Sequence, residues 1–265
     1  MISIVKQSII LLFIVTLTAC SIFSRPNNQL PVSASDANVQ LGLAYLNHGD
    51  VQRAHQKLLL AEEQAPRSLQ AQGAMGYFLE STGNFSSADA YYRRAIALNP
   101  KSGAAQNNYG TFLCRRGRYS QADQHFLLAL QDPSYLNAAQ VNENAGLCAM
   151  QIPNTKKAIG YFMKAISQDP KLALSWLELG RINYQAKNYQ QAQQYLDHYM
   201  QLVKAPTANA LWLGAVLARA LGNQEVAANY TLMLQTKFPN SDAYKALIRT
   251  PTLKAQQKKD KQLYF

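Results

Sequence analysis

Charged residues are scarce in this 265-residue sequence. Asp, Glu, Lys and Arg make up 15% of it, and acidic residues are the scarcer sign, with 15 against 26 basic ones. Hydrophobic residues make up 48%. Chains that stay disordered have the opposite composition, with few apolar and many charged residues. The sequence therefore predicts a folded chain with a large core, either one or two ordinary domains or one elongated repeat array.

Residues that carry catalysis or bind metals are few and scattered. The four histidines, His48, His55, His125 and His198, do not have metal-ligand spacing with one another, with Cys or with carboxylates. The glycines follow a repeat period and do not form a phosphate-binding loop, and no nucleophile is placed beside a base. We expect no catalysis, no cofactor, no metal and no small-molecule substrate.

Dense basic runs are also missing from most of the chain, although the formal net charge is +11 and the pI is about 9.5. Lysines and arginines occur singly or as pairs, such as Arg93-Arg94 and Arg115-Arg116, and cluster only in the last dozen residues. A basic balance raises the question of nucleic acid. Because no motif of a nucleic-acid-binding domain is present and the chain begins with an export signal, we expect no nucleic-acid partner.

The N-terminus has the three-part layout of a secretory signal. A basic start precedes the apolar run Ile9–Leu17, which is shorter than the ~20 residues of a membrane-spanning helix. The stretch Leu17-Thr18-Ala19-Cys20 resembles the bacterial lipobox, in which the Cys sulfur is joined to diacylglycerol and the signal is removed. The alternative is an ordinary cleavable signal with a coincidental Cys.

The lipobox resemblance implies that residues 1–19 are a signal peptide and that Cys20 is lipidated. Ser21 is not acidic, which in Gram-negative lipoproteins of this type implies transport to the outer membrane, with the protein facing the periplasm. Residues 20–35 are polar and contain prolines, so we predict a flexible tether between the lipid and the fold.

The remaining chain is a repeat. Six glycines recur in steps of 34, 34, 36, 34 and 34: Gly42, Gly76, Gly110, Gly146, Gly180 and Gly214. An alanine follows twelve residues after each of the first five: Ala54, Ala88, Ala122, Ala158 and Ala192. In the sixth unit this place falls on Val226, with Ala227 next to it. Prolines close the units: Pro66, Pro100, Pro133, Pro170, Pro206 and Pro239.

This period, with its recurring glycines, alanines and closing prolines, resembles the tetratricopeptide repeat. The resemblance predicts an all-α fold, a right-handed superhelix of about six helix-turn-helix repeats over residues 36–250. The units lie near 35–68, 69–102, 103–138, 139–172, 173–206 and 207–240, and a short capping helix follows. Residues 251–265 form a basic tail, predicted to be disordered, which either contacts anionic lipid or is simply solvated.

Each unit is expected to contain two antiparallel helices whose Gly and Ala let the backbones approach closely, with Tyr92, Phe126 and Phe162 filling the space between units. Ser86 or Ser87, and Ser120, are predicted to cap second helices.

Three departures from the repeat lead to further predictions. The step of 36 predicts a longer exit loop near residues 132–136 in the third unit, and Gly222 predicts a turn shifted by about one residue in the sixth. Asn240-Ser241-Asp242 is predicted to cap a last helix, Ala243–Arg249.

Two cysteines, Cys114 and Cys148, occur at the same height in the first helices of adjacent units. In an oxidising periplasm they can form a disulfide between units three and four. The alternative is a pair of buried free thiols that pack as small apolar residues.

First helices line the concave face of this architecture. Counting from each Gly, we predict a partner-binding groove. Its candidate residues are Leu43, Leu46, Asn47, Tyr77, Glu80, Asn107, Thr111, Arg115, Glu143, Met150, Arg181 and Tyr184, with Ser81 and Leu147 beside them. For each of them ordinary packing between repeats is the alternative.

Several segments are more specific than the generic repeat. They are residues 107–114 (NNYGTFLC), 144–148 (NAGLC), 218–223 (ARALGN) and 238–241 (FPNS). With the lipobox and six units, the chain is similar to the PilF/PilW family of type IV pilus biogenesis lipoproteins. The resemblance implies a pilotin, a lipoprotein that binds protomers of the PilQ-type pilus secretin and is needed for the secretin to reach the outer membrane and assemble into multimers.

Two other classes of function compete with this one. A periplasmic repeat lipoprotein can instead scaffold peptidoglycan hydrolases or synthases. An enzyme with accessory repeats would need sequence for a second domain, and the repeats leave none.

Overall fold

The computed structural model describes residues 33–152 and 155–249, so the predicted signal peptide, Cys20 and the basic tail lie outside the described residues. Within these ranges the chain forms thirteen α-helices and no strand, and the all-α prediction is confirmed. The helices are α1 (Ala34–Asn47), α2 (Val51–Gln64), α3 (Leu69–Ser81), α4 (Phe85–Leu98), α5 (Gly103–Arg115), α6 (Tyr119–Ala129), α7 (Ala138–Ala149), α8 (Thr155–Gln168), α9 (Ala173–Gln185), α10 (Tyr189–Leu202), α11 (Ala208–Ala220), α12 (Gln224–Lys237) and α13 (Asp242–Arg249).

The first twelve helices form six antiparallel hairpins, and each packs against the next along the chain. In each hairpin the odd-numbered helix is the first helix of a unit and the even-numbered helix is the second. The last helix, α13, packs on α11 and α12 through the buried Leu247 and so covers the end of the array. None of the helices in the described ranges is both long enough and apolar enough to cross a bilayer.

Each hairpin is held together by contact between the glycine of its first helix and its second helix. A Cβ added at Gly42 would lie 2.7 Å from Leu58, and one at Gly76 would lie 3.1 Å from the ring of Tyr92. The same sixteen-residue spacing places Phe126 on Gly110, Phe162 on Gly146 and Tyr230 on Gly214. The side chain therefore occupies the volume that a Cβ would fill, and the two backbones can approach closely.

The alanine of each second helix completes this contact. Ala54, Ala88, Ala122, Ala158 and Ala192 are all fully buried. In the sixth unit Ala227 is the buried residue, whereas Val226 is 37% exposed. The turn before α12 is displaced in the same way, since its left-handed residue is Gly222 and the Asn223 amide donates to the carbonyl of Ala218. The predicted shift of one residue in the sixth unit is therefore present.

The caps of the second helices differ from the prediction. Ser86, Ser87 and Ser120 lie inside the first turns of their helices. Asn84 caps α4 by accepting a hydrogen bond from the Ser87 amide, and no side chain among the described residues caps α6. A capping side chain must sit just before the first helical residue, and the tight turn places Asn84 there. Ser241 does cap α13 as expected, because its Oγ accepts from the Tyr244 amide.

The exit loop of the third unit is longer than the others, as predicted. It spans residues 130–137, against 65–68 and 99–102 in the first two units, and α6 has 11 residues where α4 has 14. Asp132 fixes this loop because one of its carboxylate oxygens accepts from the Gly103 amide at 2.8 Å, at the start of α5. Tyr135 packs directly on Gly103.

A matched pair of glycine substitutions tests the contact within the hairpins. An added Cβ at Gly146 would lie 2.7 Å from the buried Phe162 ring, whereas one at Gly160, in the middle of α8, would meet no described atom within 4 Å beyond its chain neighbours and its own helix backbone. We expect Gly146→Ala to lower the free energy of unfolding by about 1–3 kcal/mol through overpacking. Gly160→Ala should raise it by about 0.5–1 kcal/mol, since alanine favours helix. Urea unfolding followed by circular dichroism measures both, and equal effects of the two changes would contradict this packing.

Candidate partner-binding groove

The first helices α1, α3, α5, α7 and α9 form one continuous surface, which we call the groove. The residue after each helical glycine lies on it at least partly exposed: Leu43, Tyr77, Thr111, Leu147 and Arg181. The residue five places after the glycine forms a second exposed row, which includes Asn47, Ser81, Arg115 and Gln151. The helical period places these two rows on the same face of each helix.

The N-terminal end of the groove is apolar. Leu43 and Leu46 are half-buried and pack against the core of the first two units, which contains Val39 and Phe78. Tyr77 is 37% exposed on the next first helix, and Asn47 is exposed at the end of α1. This part of the groove presents apolar side-chain surface with a polar edge.

The middle of the groove contains a depression of about 450 Å³ between α5 and α7. The predicted residues Thr111 and Arg115 line one side, and Asn144, Leu147 and Gln151 line the other. The floor contains the rings of Tyr119 and Phe126. Amide and hydroxyl groups beside apolar surface can bind both the backbone and the side chains of a peptide.

The two cysteines of the groove form a disulfide in the structure. Cys114 and Cys148 have Cα atoms 5.7 Å apart, within the range that a disulfide requires. The bond joins α5 to α7 beside the depression, and it links units three and four, which are also joined by the longest exit loop.

Glu80, Asn107 and Glu143 are placed in the interior, not on the exposed surface of the groove, since each is at least nine-tenths buried. They connect neighbouring first helices. Asn107 accepts a hydrogen bond from Asn144 at 3.1 Å. One Glu143 oxygen accepts from both the amide and the hydroxyl of Ser175, at 3.1 and 2.8 Å, and so caps the start of α9.

Glu80 illustrates why sequence reasoning placed these residues at the surface. A carboxylate is rarely buried without a partner, but here Arg115 of the next unit forms an ion pair with it at 3.0 Å. Tyr92 donates its hydroxyl proton to the other oxygen at 3.1 Å. Burial, followed by the charge of Glu80, raises the pKa of Tyr92 well above its usual range, so the phenol stays protonated and keeps donating.

The remaining candidates are engaged by other residues of the array. Arg181 pairs with Glu178 of the same helix at 2.6 Å. Tyr184 contacts the rings of Tyr189 and Trp212, with centroids 5.8 Å away in each case. Met150 is half-buried against the central core cluster.

Asn144 and Gln151 are groove residues that the candidate set omitted. Gln151 lies five places after Gly146, the same register that predicted Arg115, so the repeat count alone could have found it. Within the described ranges no group of three or more His, Cys, Asp or Glu side chains could hold a metal ion.

These hairpins and their groove define a tetratricopeptide-repeat protein, and models of the tetratricopeptide repeat match residues 69–102 and 91–124. The chain is 33% identical over 245 residues to the type IV pilus assembly protein PilF of Pseudomonas aeruginosa, covering 91% of this chain and 96% of that protein. The chain therefore belongs to the PilF/PilW family of type IV pilus biogenesis proteins.

Solved structures agree with this assignment. The structure of Pseudomonas aeruginosa PilF is 34% identical with a TM-score of 0.72, over 81% of this chain and 96% of that one. PilW, described as a widely conserved type IV pilus biogenesis factor, is 28% identical with a TM-score of 0.72, over 81% and 98%. The Cut9–Hcn1 complex of the APC/C, at 17% identity and a TM-score of 0.68 over 82% and 42%, shares the fold alone.

Reduction of the disulfide should destabilise the array. Cys114 and Cys148 are 34 residues apart, and a closed loop of this length stabilises the native state by about 3–4 kcal/mol. We expect dithiothreitol to lower the urea midpoint of the native protein, and Cys114→Ala to have a low midpoint that no longer responds to dithiothreitol. An unchanged midpoint in the reduced native protein would argue against a stabilising bond.

Proposed function

We propose that this protein is a pilotin, an outer-membrane lipoprotein that binds protomers of the type IV pilus secretin through the groove and promotes their assembly into multimers. The observation that carries the proposal is the 33% identity to PilF over 91% of the chain. This relationship extends over nearly all of the six repeats and is therefore not a likeness between single repeats.

The lipobox at Cys20 supports the membrane localisation in this proposal. Each methylene buried in a bilayer contributes ~0.8 kcal/mol, so several acyl chains anchor a protein far more firmly than one. Ser21 directs the lipoprotein to the outer membrane, and the repeats face the periplasm, where secretin protomers arrive.

The groove supports the proposed mode of binding. Its apolar end, with Leu43, Leu46 and Tyr77, accepts apolar side chains of an extended or helical segment. The depression beside the disulfide supplies Thr111, Asn144 and Gln151 for hydrogen bonds to that segment. The protein then acts by holding a protomer until neighbouring protomers join it, and no covalent chemistry is needed.

Deletion of the gene should abolish heat- and SDS-resistant secretin multimers in the outer-membrane fraction, and the wild-type gene should restore them. We expect Cys20→Ala to leave multimers missing or in the wrong membrane, because the protein loses its anchor. Ser21→Asp should keep the lipid but retain the protein at the inner membrane, and Ser21→Ala is the matched control that should behave as wild type. Immunoblots of separated membranes measure the multimers in all five strains.

Unchanged multimers in the deletion strain would refute the pilotin role. A change in cell shape or lysis sensitivity with intact pili would instead support scaffolding of peptidoglycan hydrolases or synthases, the competing function.

A pair of exposed residues tests whether the groove binds the protomer. Tyr77 on α3 is 37% exposed and Leu59 on α2 is 39% exposed, so a charge at either position costs the fold little. We expect Tyr77→Glu to reduce secretin multimers roughly tenfold, equivalent to about 1.4 kcal/mol of binding. Leu59→Glu, on a second helix, should leave them unchanged. An equal loss in both variants would argue against binding at the groove.

A further inference from the structure

A second pocket lies on another surface of the array, between α4, α5 and α6. It has a volume of about 340 Å³, and its lining includes Arg93, Ile96, Leu113, Arg118, Gln124 and His125. It shares no lining residue with the depression in the groove.

The repeat itself marks this place as unusual. The residue three places after the buried alanine of the second helix is tyrosine at the matching position of three other units: Tyr91, Tyr161 and Tyr195. Tyr91 donates its hydroxyl proton to Glu62, and Tyr161 donates to Asp123, in each case a carboxylate of the preceding second helix. In the third unit the position is His125, which is shorter than tyrosine and has no phenol oxygen. His125 itself lines the pocket.

The tautomer of His125 follows from its neighbour. The Gln106 amide nitrogen donates to the carbonyl of Pro100 at 2.7 Å, which turns the amide oxygen toward the imidazole. His125 Nδ1 lies 2.6 Å from that oxygen. Because an amide oxygen only accepts, Nδ1 carries the proton and Nε2 keeps a lone pair.

The charges around the pocket leave an excess of one positive charge. Arg93 Nε and Arg118 Nη1 both donate to Asp89, at 2.6 and 3.1 Å, and Tyr109 also donates to this carboxylate at 2.9 Å. Two guanidinium groups therefore share one carboxylate. Each guanidinium has five N–H groups, and among the described residues these ion pairs use only part of them.

The titration of His125 is coupled to the same groups. Burial, followed by the charges of Arg118 and Arg93, lowers the pKa of His125, while Asp89 is engaged by the two arginines and Tyr109. The ring is therefore neutral near pH 7. A carboxylate placed beside it would favour the protonated form and raise its pKa again.

We propose that this pocket binds an acidic side chain, Glu or Asp, on an extended segment of a protein partner. The carboxylate pairs with N–H groups of Arg93 and Arg118 that the pairing with Asp89 leaves free, and the flanking apolar side chain of the segment packs on the partly exposed Ile96. Charge complementarity selects this occupant, because a neutral or basic segment would leave the excess positive charge uncompensated. The site does not depend on the identity of the groove's partner.

A peptide titration of the full-length chain in detergent micelles tests the proposal. The probe is the acetylated, amidated tripeptide Leu-Glu-Leu, and its control is Leu-Gln-Leu, which has the same shape without the charge. With ¹³C-labelled histidine rings, NMR follows His125 directly, and His48, His55 and His198 serve as internal controls. We expect the His125 signal to shift saturably with the acidic peptide, with about tenfold weaker binding of the neutral one, and the pKa of His125 to rise in the bound state.

Two variants separate binding from folding. Gln124→Glu places a carboxylate at the pocket and should abolish the response, whereas Gln194→Glu makes the same change at the matching register of α10 and should preserve it. His125→Tyr introduces the side chain found at this position in three other units. In a saturation-transfer NMR experiment this variant should no longer transfer magnetisation to the peptide. Its urea unfolding midpoint should not fall.

The proposal is overturned if the two peptides act equally, or if the acidic peptide has no effect up to about 10 mM, which is weaker than the affinities expected of a specific site. It is also overturned if Gln194→Glu removes the response as fully as Gln124→Glu.

Discussion

The close approach of two helices at a glycine is the constraint on which this structure depends. In five of the six hairpins a large side chain sixteen residues later lies where the glycine's Cβ would be. The buried alanine of the second helix faces the same contact. No hairpin of this size can bury its apolar face alone, so the hairpins must stack, and stacking requires that each has the same thickness. The small residues set that thickness, and the period of the sequence follows from it.

The contacts between units are more varied than those within a hairpin. They include polar contacts that a hydrophobic core does not ordinarily contain. Glu80 pairs with Arg115, Asn107 bonds to Asn144, and Glu143 caps α9. Each joins the first helices of adjacent units and satisfies a polar group that burial would otherwise penalise. The junction between units three and four differs because its exit loop is the longest and the depression of the groove opens on it. There the disulfide supplies a covalent link in addition to packing.

Repetition also explains how one array can contain both the groove and the separate pocket, the two surfaces for which binding is proposed. The groove combines residues of the first helices, and its character changes along the array from the apolar Leu43 and Tyr77 to the polar region around Arg115. The pocket between α4, α5 and α6 lies where the third unit departs from the pattern of the second helices, with His125 in place of tyrosine. A regular scaffold tolerates such a change because each unit contacts only its neighbours. An array of this kind can therefore gain a contact without remodelling the groove.

The amino-acid sequence alone determined the periodic features: the class of fold, the number of hairpins, the longer third exit loop, the shifted sixth turn and the family. The period and the composition of the sequence encode these features, because the same spacing between residues must recur wherever the same packing between helices recurs. The placement of Glu80, Asn107 and Glu143 was decided only by tertiary structure, since their burial depends on partners as much as 37 residues away. The predicted cap of α4, Ser86 or Ser87, likewise lies two or three residues after the observed cap, Asn84. The geometry of the turn, not the residue type, determines which side chain sits just before the helix. The tautomer of His125 and the excess charge beside it also needed the fold, since they arise where α4, α5 and α6 meet and the one-dimensional period carries no information about distances between side chains.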